Sequence, residues 1–588
     1  MLTKNLLLIF LITLLAACGG GSDGETSPEN NESSSQKDTA PPVININGEN
    51  PITIEAGITY KDAGATAQDL NDGALSVSVN NSVNINKTGE YEVNYTSKDK
   101  AGNTSIKTRL VIVQDTTPPS ITINTVHDFT YLISYGYVYN DFGATATDTL
   151  DGEVSVSVIN NVDTGVVGEH TVEYTASDAA GNTSKAVRKV IVQDTPLESI
   201  GLEQDLYQCL KVKNIKYASE IIEIECKGKS IGHSEGIRYL RNLERLDLGN
   251  TESPEGQPLF NDIENIDLTY NTKLKYLNLA WNQLTSIDIS NNHNLETINL
   301  AHNDLNVIDL SNNVKLEELD LSLNNLYRID LEKNTKLSNL KISGNNIREI
   351  DINKNSELEI LDIANNKLDY IQISENKNLI YLNIGRNNLN EIDLKSNSKL
   401  IELEINNNQL SEVDFSANKN LTMLIAYSNE FQEIDLTENS QLIELSLAYN
   451  DLSEVDISKN VKLEVVHLYE NELSRLDVTK NLNLTSLMAF RNSIEDIGLT
   501  NNPKLESLYL YENLLSDIDL SNNSELVYLL LSDNQLSDID VSKNIALKSL
   551  LLKRNNINTL DISNNISIDF LKLDSNVTCT GNSCSLRN

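Results

Sequence analysis

The second half of the chain repeats one pattern of apolar and polar residues every 21 positions. The period begins at Leu274 and continues through Leu295 to Ile568 without an insertion or a deletion. Residues 295–315 show the motif LxxLxLxxNxLxxIDLSxNxx, with isoleucine at one leucine position. Because a unit of this length buries its apolar residues only against neighbouring units, the pattern predicts a solenoid over residues 241–576. We expect the LxL segment to form a parallel strand and the Ile-Asp-Leu segment a short strand or an extended turn.

Polar residues also keep fixed positions in the repeat, so they form columns along the predicted solenoid. Asparagine occupies two columns, which start at Asn282 and Asn292. Buried asparagine amides can satisfy turn groups that sheet hydrogen bonding misses. Aspartate occupies a third column between Asp288 and Asp561. Stacked carboxylates repel one another, so we expect this column to cap turn amides, with cation binding as the alternative.

A different periodicity precedes the repeats, where apolar and polar residues alternate in short segments. Tyr91–Tyr95 is one such segment, and it places every second side chain on one face, as a strand of an antiparallel sheet does. Asp38, Asp115 and Asp194 mark a longer repeat of 77 and then 79 residues, a length that suits a small all-β module. The two predicted β-sandwich modules are residues 41–115 and residues 116–195.

The start of the chain has the features of an export signal. Lys4 precedes the apolar run Leu6–Leu15, which is long enough for the core of a signal peptide but too short to span a membrane. The run ends in Leu-Ala-Ala-Cys, which resembles the lipobox of bacterial lipoproteins. The resemblance implies cleavage before Cys18 and a lipid on its thiol, whereas the alternative is an unmodified cysteine in a discarded signal. Residues 1–18 are therefore predicted to be a lipoprotein signal peptide and residues 19–40 a flexible polar linker.

Short stretches that contain cysteine flank the repeats and predict caps at residues 196–240 and 577–588. In the first cap, Gln204–Lys211 predicts a short helix and Ile221–Cys226 a strand, which would cover the first turn. Asn250–Leu259 interrupts the early turns and is predicted to be a loop insertion. Export permits disulfides, and the close spacing favours two of them, with zinc binding as the alternative. The predicted pairs are Cys209 with Cys226 and Cys579 with Cys584.

Two family resemblances follow from these motifs. The two modules share the segments GATA (64–67 and 143–146), Asp-Gly (72–73 and 151–152), Gly-Glu (89–90 and 168–169) and DxAGN (99–103 and 178–182). This pattern resembles the Ig-like domain of a pesticidal crystal protein and of many bacterial surface proteins, in which such modules usually act as spacers. The 21-residue motif resembles the short bacterial class of leucine-rich repeats and, more loosely, the internalins. The resemblances imply a mainly β fold class: two Ig-like β-sandwiches, then a β-rich leucine-rich-repeat solenoid with a small N-terminal cap.

The strong negative charge narrows the range of partners. The chain has 46 Lys and Arg residues against 85 Asp and Glu residues, which gives a formal net charge of −39. This charge argues against nucleic acid as a partner and against docking on anionic lipid, so membrane contact is expected only through the lipid anchor. The sequence shows no catalytic constellation and no cofactor motif, so we expect neither enzyme activity nor a cofactor other than structural calcium.

Acidic residues in the turns of the Ig-like modules are the candidate ligands for calcium. Hard cations take several oxygen ligands, and these carboxylates recur at matching positions in the two modules. The alternative is that each aspartate accepts hydrogen bonds from its own turn backbone. The candidates are Asp62, Asp69, Asp72, Asp99, Asp141, Asp148, Asp151 and Asp178.

The outward positions of the predicted strands differ between early and late turns of the solenoid. Early turns carry small or polar residues such as Asn278, Asn299 and Ser322, whereas later turns collect aromatic residues, methionine and arginine. This composition is typical of a recognition surface on the concave face, and the alternative is an aromatic ladder that stabilises the sheet. The predicted ligand-binding residues are Met423, Tyr427, Tyr449, His467, Tyr469, Phe490, Arg491, Tyr509, Tyr511 and Tyr528.

These observations predict a cell-surface lipoprotein whose solenoid serves protein binding or adhesion. Two other functions stay open at this point: capture of a glycan, and a structural or self-associating role in the envelope. The predicted location is the bacterial envelope, lipid-anchored at the outer membrane or the cell surface.

Overall fold

The structure is a computed structural model that describes residues 37–124, 130–252, 258–259 and 261–586. These residues belong to two compact units. The first unit comprises residues 37–124, 144–157 and 174–186, and the second comprises residues 130–143, 158–173 and 187–586. None of the helices in the described part of the chain is long and apolar enough to cross a membrane. The predicted signal peptide and Cys18 lie outside the described residues.

The first Ig-like module consists of two β-sheets around a small apolar core. Its strands are β1 (Val43–Ile46), β2 (Ile52–Glu55), β3 (Ala65–Asp69), β4 (Gly73–Leu75), β5 (Ser78–Asn81), β6 (Gly89–Lys98) and β7 (Thr104–Gln114). One sheet has the order β1-β3-β4, and the other has the order β2-β7-β6-β5 with β2 parallel to β7. Val93, Tyr95 and Val111 come from alternate positions of the long strands and are fully buried between the sheets, as the alternation predicts.

The second module repeats this strand order. Its strands are β8 (Ser120–Ile123), β9 (Thr130–Ser134), β10 (Ala144–Asp148), β11 (Gly152–Val154), β12 (Val156–Asn160), β13 (Gly168–Ser177) and β14 (Thr183–Gln193). The sheets have the orders β11-β10-β8 and β12-β13-β14-β9, and β9 runs parallel to β14 just as β2 runs parallel to β7. The prediction of two tandem all-β modules is therefore confirmed.

A cap of short elements leads into the repeats. The helix α1 spans Gln204–Lys211, and the strand β15 spans Glu223–Glu225, inside the segment predicted to be a strand. A disulfide joins Cys209 in the helix to Cys226 beside the strand, which confirms the predicted pair. The cap and its flanks also contain three 3-10 helices, Leu197–Ser199, Ala218–Glu220 and Ile237–Tyr239. The predicted insertion contains β17 (Thr251–Glu252) and β18 (Pro258–Leu259), which pair antiparallel after β16 (Arg245–Asp247).

The repeats form one parallel sheet of three-residue strands. In the described residues this sheet has 17 strands, beginning with β15 and β16 and continuing with one strand per repeat. The strands are β19 (Tyr276–Asn278), β20 (Thr297–Asn299), β21 (Glu318–Asp320), β22 (Asn339–Lys341), β23 (Ile360–Asp362), β24 (Tyr381–Asn383), β25 (Glu402–Glu404), β26 (Met423–Ile425), β27 (Glu444–Ser446), β28 (Val465–His467), β29 (Ser486–Met488), β30 (Ser507–Tyr509), β31 (Tyr528–Leu530), β32 (Ser549–Leu551) and β34 (Phe570–Lys572). Each strand pairs in register with the equivalent residues one repeat later, which confirms the predicted solenoid.

The second segment of each repeat is an extended turn in nearly every case. Ile287-Asp288-Ile289, for example, forms no strand. In the described repeats this segment becomes a strand only at β33 (Thr559–Asp561), which pairs with β35 (Thr578–Thr580) of the C-terminal cap. A second disulfide joins Cys579 in β35 to Cys584 in a last 3-10 helix, Asn582–Leu586, and confirms the second predicted pair.

The two asparagine columns make hydrogen bonds of different completeness. We number the repeat positions from Leu274, so the columns occupy positions 9 and 19. At position 9, the amide of Asn450 donates to the carbonyls of Ala426 and Leu447, and its oxygen accepts the N–H of Phe431. At position 19, the amide of Asn460 donates to two carbonyls, but its buried oxygen has no hydrogen-bond partner in the described chain. Both columns are structural, because they connect each turn to the previous one.

Candidate functional site

Three aromatic rings stack along position 7 of consecutive late turns. We call Tyr469, Phe490 and Tyr511 the aromatic stripe. The ring centroids of Tyr469 and Phe490 are 4.4 Å apart with the planes inclined by 8°, and those of Phe490 and Tyr511 are 4.3 Å apart with an inclination of 11°. Neighbouring strands lie about 4.8 Å apart, so the same position on successive turns brings flat rings to stacking distance. Each ring therefore covers a face of its neighbour.

Position 8, next to the aromatic stripe, has a left-handed backbone in fourteen consecutive turns, from Trp281 to Arg554. The φ angle ranges from +52° at Tyr449 to +68° at Gly344, and every other member of the column is a non-glycine residue. A left-handed conformation costs an L-residue roughly 1–2 kcal/mol, and none of these positions holds a β-branched residue, which would cost more. The column comprises Trp281, His302, Leu323, Gly344, Asn365, Arg386, Asn407, Ser428, Tyr449, Glu470, Arg491, Glu512, Asp533 and Arg554.

Beside the aromatic stripe, this column carries an aromatic residue and a chain of ion pairs. The ring of Tyr449 meets that of Tyr469 edge to face at a centroid distance of 5.3 Å, and 49% of Tyr449 is exposed. Arg491 bridges Glu470 and Glu512 of the turns on either side, with its Nε 3.0 Å from Glu512. Its hydrogen bonds to Glu470 and then Glu512 raise the pKa of Arg491 above its usual range. The aromatic stripe thus has a charged margin that is held in place on both sides.

The other predicted ligand-binding residues lie on the same strand face. Met423, Tyr427 and Tyr509 are half-buried, and Tyr528 is 43% exposed. The imidazole centroid of His467 lies 6.3 Å from that of the Tyr469 ring, and burial lowers the pKa of the imidazole, which favours its neutral form. The structure therefore groups the ten predicted residues on strands β26–β31 and the adjoining turns.

Two features of this face were missed by the sequence interpretation. Trp281 and His302 occupy position 8 of early turns and stack at a centroid distance of 3.3 Å, although the early face was expected to be small and polar. In the middle turns, a cleft of about 520 Å³ is lined by Lys341, Glu359, Ile360, Asp362, Ile380, Tyr381, Ile401 and Glu402. Beside it the Tyr381 hydroxyl donates to Glu404 at 3.0 Å, and burial raises the pKa of both Asp362 and Glu404. In the sequence, the only sign of these two features was a single aromatic residue in each region, Trp281 and Tyr381.

In the Ig-like modules, two of the eight candidate calcium ligands are engaged in ion pairs. Asp62 binds the buried guanidinium of Arg109 at 2.6 Å and also accepts a hydrogen bond from the Tyr95 hydroxyl. Asp141 makes the equivalent ion pair with Arg188 in the second module. These two carboxylates therefore hold buried arginines in the cores of the modules. The spacing of the residues in the sequence did not indicate either ion pair.

The other six candidates lie near the turns that follow β3, β6, β10 and β13, and two landmark aspartates join them. In the first module, carboxylate oxygens of Asp38, Asp69 and Asp99 lie within 4.8 Å of one another. In the second module, those of Asp115, Asp151 and Asp178 do the same. Asp38 and Asp115 were recognised only as markers of the repeat, although their recurrence next to the acidic turns was the signal that could have added them.

Comparison with known proteins assigns the two modules. Residues 44–113 and 121–192 each match the family model described as "Bacterial surface protein, Ig-like domain". Two curated proteins share 33% identity with parts of the chain: hyalin of Lytechinus variegatus over 175 residues and an uncharacterized 81.3 kDa protein of Acholeplasma phage L2 over 133 residues. These matches cover 27% and 21% of the chain, and the chain spans only 33% and 18% of those two proteins.

The solenoid is similar to solved leucine-rich-repeat structures. The functional domain of InlJ from Listeria monocytogenes, which includes a cysteine ladder, matches 64% of the chain and 79% of its own length, at 26% identity and a TM-score of 0.53. The plant peptide hormone receptor RGFR1, solved in complex with RGF2, matches 60% of the chain and 63% of its own length, at 20% identity and a TM-score of 0.52, and this likeness shows the fold alone. The chain thus carries two Ig-like domains of the bacterial surface protein type, followed by a leucine-rich-repeat solenoid that is similar to the functional domain of InlJ.

Proposed function

We propose that the chain is a surface-displayed binding protein and that the late turns of the solenoid bind a protein ligand through the aromatic stripe and its charged margin. The observation that carries this proposal is the grouping of Tyr449, the aromatic stripe and the bridged Arg491 on one strand face. Aromatic residues that are at least partly exposed and lie next to an arginine are the composition of interface anchors, and a surface kept only for solubility would not need them. We infer that the Ig-like modules, which lie between the predicted attachment point and the solenoid in the sequence, serve as spacers.

The stacking favours a protein ligand over a glycan. A sugar ring binds an aromatic side chain by lying on its open face, but in the aromatic stripe both faces of Phe490 are covered by its neighbours. At the centre of the stripe, Phe490 therefore offers only ring edges, next to the carboxylates and the guanidinium of the margin. Edges and charged groups of this kind suit the mixed apolar and polar surface of a folded protein or a peptide.

The experiment compares the native chain with a variant that lacks the aromatic stripe. The full chain and the variant Tyr469→Ser, Phe490→Ser, Tyr511→Ser are immobilised, and proteins retained from cell extracts are identified by mass spectrometry. Truncation of buried interface anchors commonly costs 2 kcal/mol or more each, so a ligand held by the aromatic stripe should be lost from the variant. A purified candidate is then titrated against both chains to obtain the two dissociation constants.

A matched control removes tyrosine from elsewhere on the solenoid. Tyr327 and Tyr370 are 53% and 56% exposed and lie at repeat positions 12 and 13, outside the strand. The double variant Tyr327→Ser, Tyr370→Ser should retain the same proteins as the native chain. Equal retention by the stripe variant would refute the proposed site. Binding on a glycan array, or self-association in sedimentation that the stripe variant abolishes, would replace the protein ligand with one of the other two functions.

We further propose that the chain is exported and held at the envelope by a lipid on Cys18. The support is the Leu15-Ala16-Ala17-Cys18 sequence behind a short apolar run, together with the match of the following modules to a domain of bacterial surface proteins. Cys18→Ser should block processing or release the protein from the membrane fraction. Unchanged fractionation, with no lipid mass on the mature N-terminus of the native protein, would exclude this attachment.

A further inference from the structure

The acidic clusters of the two Ig-like modules occupy equivalent places. Each cluster brings together an aspartate from before the first strand of its module, one from the end of the third strand or the turn that follows it, and one from the turn between the two longest strands. The pairs of equivalent residues are Asp38 and Asp115, Asp69 and Asp148, Asp72 and Asp151, and Asp99 and Asp178. All eight belong to the first compact unit.

The first module carries its own cation at this place, and the second does not. The Lys100 ammonium lies 3.1 Å from the Asp72 carboxylate, and the Lys100 N–H donates to the same carboxylate at 2.8 Å. The equivalent residue in the second module is Ala179, whose N–H donates to Asp151 at 2.7 Å but whose side chain has no charge. Within the described residues, no lysine, arginine or histidine forms an ion pair with Asp115, Asp148 or Asp178.

The second module also has buried carboxylate oxygens without partners. Asp148 is only 8% exposed; its Oδ1 accepts the N–H groups of Leu150 and Asp151, whereas its Oδ2 is buried without a hydrogen-bond partner in the described chain. The Oδ2 of Asp115 is in the same state. Carboxylate oxygens of Asp115, Asp151 and Asp178 lie within 4.8 Å of one another, and burial, followed by the charges of Asp148 and Asp178, raises the pKa of Asp115.

The unpartnered oxygens point to a missing positive charge. A buried carboxylate without a partner is costly, and it is compensated by protonation, by a cationic side chain or by a metal ion. The donor set here is oxygen alone, which suits a hard divalent cation, and calcium accepts six to eight oxygens in irregular arrangements from turns. We propose that Asp115, Asp148, Asp151 and Asp178 form a calcium site in the second module, at the place where Lys100 supplies the charge in the first.

The proposed site would stabilise the segment that connects the two modules. Asp115 begins that segment, and the next two residues, Thr116 and Thr117, donate to the carboxylate of Glu55 with their N–H and hydroxyl groups. A cation on Asp115 would tie the same segment to the turn after β10 and to the turn after β13. Calcium would thus hold Asp115 in place, next to Thr116 and Thr117, which are already held by their hydrogen bonds to Glu55.

The test exchanges the cation between modules in the full chain. Calcium is titrated calorimetrically into the calcium-free protein at physiological ionic strength with excess Mg²⁺, and sites of exported modules bind in the range of about 10⁻⁴ to 10⁻³ M. Ala179→Lys should supply the charge in place of the metal, so it should remove this site while leaving the calcium-free protein as stable as the native chain or more stable. Lys100→Ala should do the reverse and add a second calcium site.

Two further variants keep the outcome clear. Asp115→Asn with Asp178→Asn should lower calcium affinity by about tenfold or more, whereas Asp38→Asn, the control in the first module, should leave it unchanged. Circular dichroism and a calcium-free melting curve establish that each variant is folded. An unchanged number of calcium ions bound by Ala179→Lys, or calcium binding that is absent from the native chain or fully displaced by Mg²⁺, would overturn the proposal.

Discussion

The early and late turns of the solenoid share one backbone but present different chemistry on the strand face. Both bury apolar side chains, mostly leucine and isoleucine, at the inward positions, both continue the two asparagine columns, and both have a left-handed residue at position 8. At position 7, however, the early turns carry Ala301, Ser322 and Ser343, whereas the late turns carry the aromatic stripe. The residues at the inward positions determine the fold, and they do so whatever residues stand at the outward positions. The outward residues, and with them the ligand that is bound, can therefore change while the solenoid stays the same.

The largest expected effect on stability comes from breaking the 21-residue register that the early and late turns share. Deletion of residues 337–357, one complete turn, joins two turns in the correct register and should leave a folded solenoid. Deletion of residues 337–346 leaves a turn without its strand and should disrupt stacking on both sides of the gap. Thermal melts monitored by circular dichroism compare the two variants. Similar melting of both deletions would contradict the view that the repeat register determines stability.

The second prediction separates the two asparagine columns within the late turns. Asn450→Ala removes the partner of three carbonyls and of the Phe431 N–H, whereas Asn460→Ala removes the partner of two carbonyls only. Each buried group left unsatisfied costs about 1–3 kcal/mol, so both variants should be destabilised and Asn450→Ala should be the less stable. Urea unfolding measures both.

The equivalent pair in the early turns is the control for this prediction. Asn324 and Asn334 occupy the same two columns and make the same kinds of hydrogen bond. Substituting them should give the same order of stability if the frame is common to both regions. A reversed order in either region would show that local packing, rather than the hydrogen-bond count, dominates.

A smaller loss of stability is expected from the aromatic stripe itself. Tyr469→Ser, Phe490→Ser, Tyr511→Ser removes two stacked ring pairs, each worth about 0.2–1 kcal/mol in a sheet. The free energy of unfolding should therefore fall by about 0.5–2 kcal/mol, while any partner binding is abolished. Tyr327→Ser, Tyr370→Ser should change stability by less than about 0.5 kcal/mol. If the stripe variant fails to fold, the rings are structural and the two regions do not differ in function.

The smallest effect concerns the aspartate column, which is common to both regions. The Thr437 hydroxyl and N–H donate to Asp435 and hold the pKa of that carboxyl below its usual value of 3.8, and serine does the same for Asp309 in the early turns. Since the folded-state pKa is the lower one, this stabilisation is complete above pH 3.8 and is lost as the pH falls below it. Urea unfolding between pH 7 and pH 3 should show a weaker pH dependence for Asp435→Asn than for the native chain. An identical pH dependence would mean that this carboxylate contributes nothing.

Much of the fold followed from the sequence because the repeat constrains it so strongly. An unbroken period of 21 residues assigns every leucine and asparagine to a column, and the helix Gln204–Lys211 and both disulfides lie where composition and spacing predicted them. The left-handed column could not be predicted in this way. Position 8 accepts Trp281, Arg491 and Glu512 alike, and its only trace in the sequence is the lack of β-branched residues.

The sites were less predictable because they depend on contacts between distant residues. Asp62 is a residue type that often binds metal ions, but its carboxylate forms an ion pair with Arg109, which lies 47 residues away in the sequence. Asp115, which spacing marked only as a landmark, lies in an acidic cluster. The stacking of the aromatic stripe likewise depends on how neighbouring turns align, and the sequence of a single repeat does not show this alignment.

The exact spacing of the asparagine columns has a consequence for how such a protein can change over generations. Asn450 reaches the carbonyl 24 residues before it, and Asn460 does the same, and the junctions between the inner turns of the array use these same partners. A duplication or loss of one whole repeat in the gene would therefore create no junction that the chain does not already contain. The number of turns in the strand face can therefore change by mutation. Recombination between repeats can also place the late-turn residues next to residues of other turns, while the packing between turns stays the same.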